Sequence, residues 1–489
     1  MNKSLNCLKF DNSFSSLPDT FYTRHQTRPL KNQHLIHFNH ELAELIELDP
    51  GLENKALFLE QITNSQSIDG YDCIAQCYAG HQFGQYVSRL GDGRALLLGE
   101  IVTSDNQRWD LQLKGAGMTE YSRGGDGRAV LRSTIREYLC SEAMHALGIP
   151  TSRALCIIGS EEEVYREEIE NGAILVRMAQ SHIRFGTFEY YYYNNRYDEI
   201  KVLADYVLNQ HFTFLKTEEM PYLALLNHVI QSTAQMIAKW QSVGFCHGVM
   251  NTDNMSIHGL TIDYGPFGFL DHFDRHFVCN HSDYQGRYAY NKQPEIGLFN
   301  VSCFAQTLLP LLHEDADKSA EIAVKALARY SEIYTQEYAD LMRAKLGFSS
   351  KKATDQSLLN ELLELMQEYK TDYSVFFRAI SQPEQTQVSG LFNESEAFKQ
   401  WFARYLSRLQ QDGIPDELRS QQQKQVNPKY ILRNYLAEQA IQKASQGDYG
   451  EIERLSKLLR NPFDEQPEYE HYAAGVPEWG KTISVSCSS

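Results

Sequence analysis

Strand-like and helical segments are segregated along this chain, and that segregation restricts its fold more than any other feature. Between Tyr78 and about Gly115, short apolar runs alternate with turns. In "YVSRLGDGRALLLGEIV" a Gly-Asp-Gly turn at Gly91–Gly93 lies between two apolar runs, which predicts a hairpin. In "WDLQLKG", Trp109, Leu111 and Leu113 fall on one face of a strand and Asp110, Gln112 and Lys114 on the other. The stretch "GAGMTEYSRGGDGRAVLRSTIREYLCSEAMHALGIP" opens as a glycine-rich polar loop. From about Ala129 it becomes a helix with Leu131, Ile135 and Leu139 on one stripe, Glu137 off that stripe, and Gly148 and Pro150 as its stop. "AILVRMAQSHIRFGTFEYY" predicts an apolar strand followed by Arg177 and Arg184. A long helix from about Tyr222 to Val243 starts after Pro221 and ends at Gly244, and beyond about Pro294 the chain reads as helix after helix. Strands first and helices afterwards predict an α+β fold.

The long helix runs directly into "HGVMNTDNMSIHGLTIDYG", His247 to Gly265. Protein kinases carry a loop H-R-D-L-x-x-x-N followed by D-F-G, with the base two residues after the His. Here Val249 occupies the base position, Asn254 keeps the Asn spacing, Asp263 sits in "IDYG", and an additional acid, Asp253, directly precedes Asn254. The whole order of strand, Gly turn, Lys strand, Glu helix, loop and helices is that of a kinase. Each part has a chemical reason. Lys114 neutralises phosphate charge, Glu137 holds that Lys by an ion pair, and glycines let backbone approach phosphate oxygens. Asn254 and Asp263 offer hard oxygens to Mg²⁺ or Mn²⁺. Asp253 reads either as a relocated general base or as a cap and support for the turn. The expected architecture is a protein-kinase-like two-lobed fold: an N-terminal extension over 1–70, a β-rich N-lobe over 71–200, a helical C-lobe over 201–460, and an irregular tail over 461–489.

Three long blocks carry a closer likeness: "YAGHQFGQYVSRLGDGRALLLGE", "DLQLKGAGMTEYSRGGDGRAVLRSTIREYLCSEAMHALGIPT" and "HGVMNTDNMSIHGLTIDYGPFGFLD", with "CSS" at the end. With them the chain resembles the SelO family of pseudokinases over nearly its whole length. The resemblance implies ATP bound end for end, so that a Ser, Thr or Tyr hydroxyl of a target protein attacks the α-phosphate, taking AMP and releasing pyrophosphate; bacterial members also use UTP. It implies Asp253 as proton acceptor and Asn254 and Asp263 as metal ligands. Gly91, Gly93, Arg94, Lys114, Asp126, Gly127, Arg177, Arg184 and Asp263 would hold the nucleotide, and Glu137 would position Lys114. In eukaryotic relatives the third residue from the end is selenocysteine; here it is Cys487, which reads either as a redox group of the tail with Cys279 as partner or as an inert exposed thiol. If Arg94, Lys114, Arg177 and Arg184 converge, they build an anion pocket for the β- and γ-phosphates, since forked guanidiniums suit non-bridging oxygens; the alternative is that some of the arginines form surface ion pairs. The competing readings are a γ-phosphate-transferring kinase and a nucleotide-binding scaffold without catalysis.

Composition narrows the remaining classes. The 489 residues carry 63 acids against 46 bases, a net charge of −17, which argues against nucleic acid as a partner. No apolar run approaches the roughly 20 residues of a membrane span, and no secretory pattern opens the chain. The nine scattered cysteines suit reduced thiols, and a cytoplasmic monomer is expected. His34, His37 and His40 lack acid or Cys partners at zinc spacing, and Cys73 and Cys77 are read as two small side chains on one helical face.

Overall fold

The computed structural model describes residues 4–486, apart from 55, 65 and 384–387. Its centre is an eight-stranded antiparallel sheet. The strands are β1 (Tyr22–Arg24), β2 (His34–Phe38), β3 (Ile74–Gln76), β4 (Gly80–Gln82), β5 (Gln85–Val87), β6 (Ala95–Val102), β7 (Arg108–Lys114), β8 (Ala129–Val130), β9 (Arg153–Tyr165) and β10 (Ile169–Ala179). The main path runs β1-β3-β6-β7-β10-β9-β2, β8 pairs with β10, and β4 and β5 form a separate two-stranded ribbon. The fold is therefore α+β, with strands early and helices late.

Side-chain alternation places the sheet between two cores. Trp109, Leu111 and Leu113 of β7, with Ile174, Val176 and Met178 of β10, pack into one apolar cluster. Ala173 and Leu175 of β10 pack into the cluster on the other side, against Ile135 and Leu139 of the helix Leu131–Ala146. Leu175 pairs with Lys114 and Arg177 with Gln112 across β10 and β7, so Lys114 and Arg177 stand as diagonal neighbours on one face. The predicted β7 pattern is thus present, although its polar face looks into the protein: Asp110 and Gln112 are buried.

The first 70 residues supply both ends of the sheet, since β1 pairs with β3 and β2 with β9. On β2, His34 shares a hydrogen bond with the Tyr449 hydroxyl (2.9 Å). His37 lies between the Tyr138 hydroxyl (2.7 Å) and Glu453 (2.8 Å). These rings tie the strand to the helix Gly450–Arg460. Cys73 and Cys77 flank an extended strand instead of sharing a helical face; with Ala75 they enter the same apolar cluster because alternate strand residues point one way.

The Gly-Asp-Gly segment does not turn a hairpin. β5 pairs with β4, while β6 pairs with β3 and β7. The actual two-residue hairpin loop is Phe83-Gly84, both in the left-handed region (φ 51° and 83°). Gly91–Gly93 instead folds back on β3: the Asp92 N–H donates to the Gln76 carbonyl (3.0 Å) and the Gln76 N–H to Asp92 Oδ2 (3.1 Å).

The helix Pro221–Val243 is closed by Gly244 at φ 73°. The helical region beyond Pro294 includes the helices Ala316–Leu327 and Arg329–Leu346. One described helix, Tyr290–Leu312, is by length and composition alone apolar enough to cross a membrane; 56% of its apolar window is buried inside the protein. The tail after Asn461 contains two short 3₁₀ segments, Pro467–Ala473 and Glu478–Thr482.

Candidate functional site

A cleft of about 560 Å³ opens between the sheet and the loop after Gly244. Its floor is an ion network. Lys114 Nζ contacts Glu137 Oε2, and Arg177 Nη1 donates to Glu137 Oε1 (2.9 Å) and to Asp263 Oδ1 (2.7 Å). Arg184 Nη1 donates to Asp263 Oδ2 (2.9 Å), and Lys114 lies 3.6 Å from Asp263 Oδ1. The Arg177 Nε–H donates to Gln112 Oε1 (2.7 Å), which fixes the guanidinium plane on the sheet. Burial alone would raise both carboxyls. The cations around Asp263, Arg177 first, hold it well below the ordinary carboxylate range. Lys114 and then Arg177 do the same for Glu137. Three cations against Glu137 and Asp263 leave one positive charge in excess, which favours an anion above the network.

The loop holds its groups through its own backbone. His247 Nε2 donates to the Ile262 carbonyl (2.9 Å) and its ring stacks on Trp240, which ties the "HG" segment to the "IDYG" segment. Asp263 adopts φ 56°, a left-handed conformation Asp tolerates better than most residues. The Asn254 Nδ2 amide donates to the Val249 carbonyl (3.0 Å), which leaves its Oδ1 as the cleft-side acceptor. Asp253 is buried beside it; its Oδ2 accepts from Gln82 Nε2 (3.1 Å), and Oδ1 has no hydrogen-bond partner among the described residues. Burial pushes this carboxyl up to about 6. The oxygens of Asn254 and Asp263 form a hard donor pair suited to Mg²⁺ or Mn²⁺.

Gly91, Gly93, Arg94, Asp126 and Gly127 line the mouth of the cleft. An added Cβ at Gly91 would lie 2.3 Å from the Tyr121 ring and one at Gly127 2.1 Å from the Gly117 carbonyl, and both residues have positive φ. The bare backbone at this rim is therefore required. Asp126 is paired with Arg166 (2.7 Å) and accepts from the Arg128 N–H (2.9 Å).

The convergence of the four cations is realised in part. Lys114 and Arg177 reach the cleft from its floor and Arg94 from its rim, whereas Arg184 is not among the lining residues. Arg184 is buried under the Tyr78 ring (4.4 Å), joins Asp263, and donates to the Asp253 carbonyl (2.7 Å). Cys279 is buried with its thiol pushed up by burial; Cys487 lies outside the described residues. Sequence reasoning passed over Arg123, an exposed cation in the glycine-rich loop with no ion-pair partner among the described residues, and also Gln82 and Asn251. Arg123 carries a visible signal, a cation inside "SRGGDG"; Gln82 and Asn251 do not.

Comparison with known proteins gives concordant matches. The family model for protein adenylyltransferase SelO matches residues 4–460. A protein nucleotidyltransferase YdiU from Thioalkalivibrio sulfidiphilus is 52% identical over 486 residues, covering 99% of this chain and 99% of that protein. Those of Myxococcus xanthus and Pseudomonas fluorescens are each 48% identical over 492 residues, covering 99% and 100% of this chain and 100% of theirs.

Proposed function

Because the chain belongs to the SelO family of protein adenylyltransferases, and is thus a protein nucleotidyltransferase with a nucleotide co-substrate and protein substrates, we propose that Asp253 is its base and Asp263 with Asn254 its metal-binding pair. One observation carries this reading. Among the described residues, the carboxylates that the loop after Gly244 brings to the cleft are Asp253 and Asp263, while the position two residues after His247 is Val249, which lines the same cleft without an ionisable group. The sheet bearing Lys114, the helix bearing Glu137 and the helical region bearing the loop correspond to the lobes of a kinase-like fold.

The reaction we assign is attack by a Ser, Thr or Tyr hydroxyl on the α-phosphorus of ATP, or of UTP. The hydroxyl proton passes to the Asp253 carboxylate and the oxygen–phosphorus bond forms. The α–β bridging bond breaks, and its electron pair leaves with pyrophosphate. Lys114 and Arg177 on the floor, with Arg94 and Arg123 at the rim, offset the charge of the departing phosphates. Arg184 acts indirectly, holding Asp263 and the Asp253 backbone. Mg²⁺ or Mn²⁺ at Asn254 and Asp263 would supply Lewis-acid polarisation of the phosphate oxygens.

Two outcomes test this assignment. With ATP labelled at either the α- or the γ-phosphate, acceptor protein is expected to retain label from α only; retention from γ only would overturn it in favour of a phosphotransferase. Arg123→Ala is expected to raise the KM for ATP about three- to tenfold with little change in kcat, because an exposed cation contributes uniform binding; an unchanged KM would remove Arg123 from the nucleotide site.

A further inference from the structure

The motif "YAGHQFGQYV" bears no catalytic group, yet it folds into the β4–β5 hairpin directly over the catalytic loop. We propose that this hairpin is a clamp that sets the position of Asp253, with Gln82 as the positioning residue. The proposal rests on the reading of Asp253 as the base. Three successive hairpin residues hold three successive loop residues. The His81 N–H donates to Thr252 Oγ1 (2.7 Å), Gln82 Nε2 to Asp253 Oδ2 (3.1 Å), and the Phe83 N–H to Asn251 Oδ1 (3.1 Å). The Tyr288 hydroxyl closes the third contact, donating to Asn251 Oδ1 (2.6 Å).

Behind these contacts a buried carboxylate locks hairpin to loop. Glu189, fully buried on the helix Phe185–Tyr193, accepts from the Thr252 hydroxyl (2.5 Å) and bonds His81 Nδ1 (2.8 Å). Hairpin, loop and helix thus close a ring through His81, Glu189 and Thr252. The backbone approaches so closely that side chains are excluded. A Cβ on Gly80 would lie 2.4 Å from Asp253 Oδ1 and 2.8 Å from its Cβ, and a Cβ on Gly186 would lie 2.0 Å from the Ala79 carbonyl oxygen. Ala79 in turn donates its N–H to the Gly186 carbonyl (3.0 Å).

The consequence is control of the carboxylate's rotation. Gln82 engages Asp253 Oδ2, while Oδ1, buried against Gly80, has no hydrogen-bond partner among the described residues. A base fixed in this way meets the incoming hydroxyl without first losing rotational freedom. The Phe83-Gly84 turn lets the ribbon reverse in two residues, so residues 81 to 83 all face the loop.

The test compares variants of the full chain, using ATP labelled at the α-phosphate and a heat-inactivated cell extract as acceptor. Gln82→Leu keeps the bulk and removes the donor; it is expected to lower kcat about ten- to a hundredfold while the KM for ATP stays within about twofold. Gly80→Ala keeps every hydrogen-bonding group and should lower kcat by a similar factor, by displacing Asp253. Thr252→Val should also slow transfer, and Thr252→Ser should recover most of that loss, since the hydroxyl makes the bonds. Asp253→Asn separates the two readings. If it transfers AMP like the parent chain, the base assignment itself fails. If it is inactive while Gln82→Leu and Gly80→Ala keep the parent kcat, the clamp is overturned and the base stands. A change confined to KM, or loss of folding in both hairpin variants, would make the hairpin a binding or structural element and overturn the positioning role.

Discussion

Asp263→Ala is expected to lose transfer by about a thousandfold or more and to lower stability by about 3 kcal/mol, from the cost of leaving the buried Arg177 and Arg184 guanidiniums without this carboxylate. Both effects have one origin. Asp263 accepts from Arg177 and Arg184 and lies within 3.6 Å of Lys114, so its removal leaves Lys114 and Arg177 with Glu137 alone and takes the carboxylate from Arg184. It also removes one of the two oxygen donors placed for a divalent ion. Thermal unfolding should show the stability loss without any nucleotide, and α-label transfer across a Mg²⁺ or Mn²⁺ titration should show no recovery at saturating metal. Asp263→Asn, which tolerates φ 56°, should retain more stability than Asp263→Ala and still transfer poorly. A fully active Asp263→Ala enzyme would refute the metal assignment.

Asp253→Ala should behave differently: kcat about 10²- to 10⁴-fold lower, as for loss of a general base, with nucleotide affinity within a few-fold of the parent chain. The Asp253 carboxylate accepts a hydrogen bond from Gln82 and, among the described residues, makes no ion pair with the Lys114–Arg177–Asp263 network; Arg184 reaches only its backbone carbonyl. Removing it therefore leaves the cationic floor intact. Calorimetric ATP binding beside the transfer assay distinguishes this outcome from the Asp263 variant, which should lose stability as well. Unaltered kcat in Asp253→Ala would mean that the proton leaves by another route.

The parts of this site that were legible in the sequence are those whose spacing is local. Lys114 could be placed on a strand face because alternation in "WDLQLKG" is a two-residue pattern, and the helix end at Gly244 because a left-handed glycine closes helices. His247, Asn254 and Asp263 lie within one short loop. The Phe83-Gly84 turn was missed because the more conspicuous glycines at Gly91 and Gly93 sit between two apolar runs, and only the long-range pairing of β6 with β3 and β7 shows that those runs are not partners. The same limit explains Arg184. An Arg that lines a cleft and an Arg that holds a carboxylate beneath it look alike in sequence, and the choice is made by Asp263, which is 79 residues away. Gln82 was invisible because its partner, Asp253, is 171 residues downstream. The edge strands within the first 70 residues were obscured by their brevity, three residues for β1 and five for β2.

The central claim concerns which phosphorus meets the base, and a structure of the chain with a non-hydrolysable ATP analogue and Mg²⁺ measures it directly. The account predicts the α-phosphorus beside Asn254 and Asp263 with the Asp253 carboxylate on its attack side, and the β- and γ-phosphates against Lys114, Arg177 and Arg94. The γ-phosphorus at Asn254 and Asp263, with Asp253 turned away from the nucleotide, would contradict it.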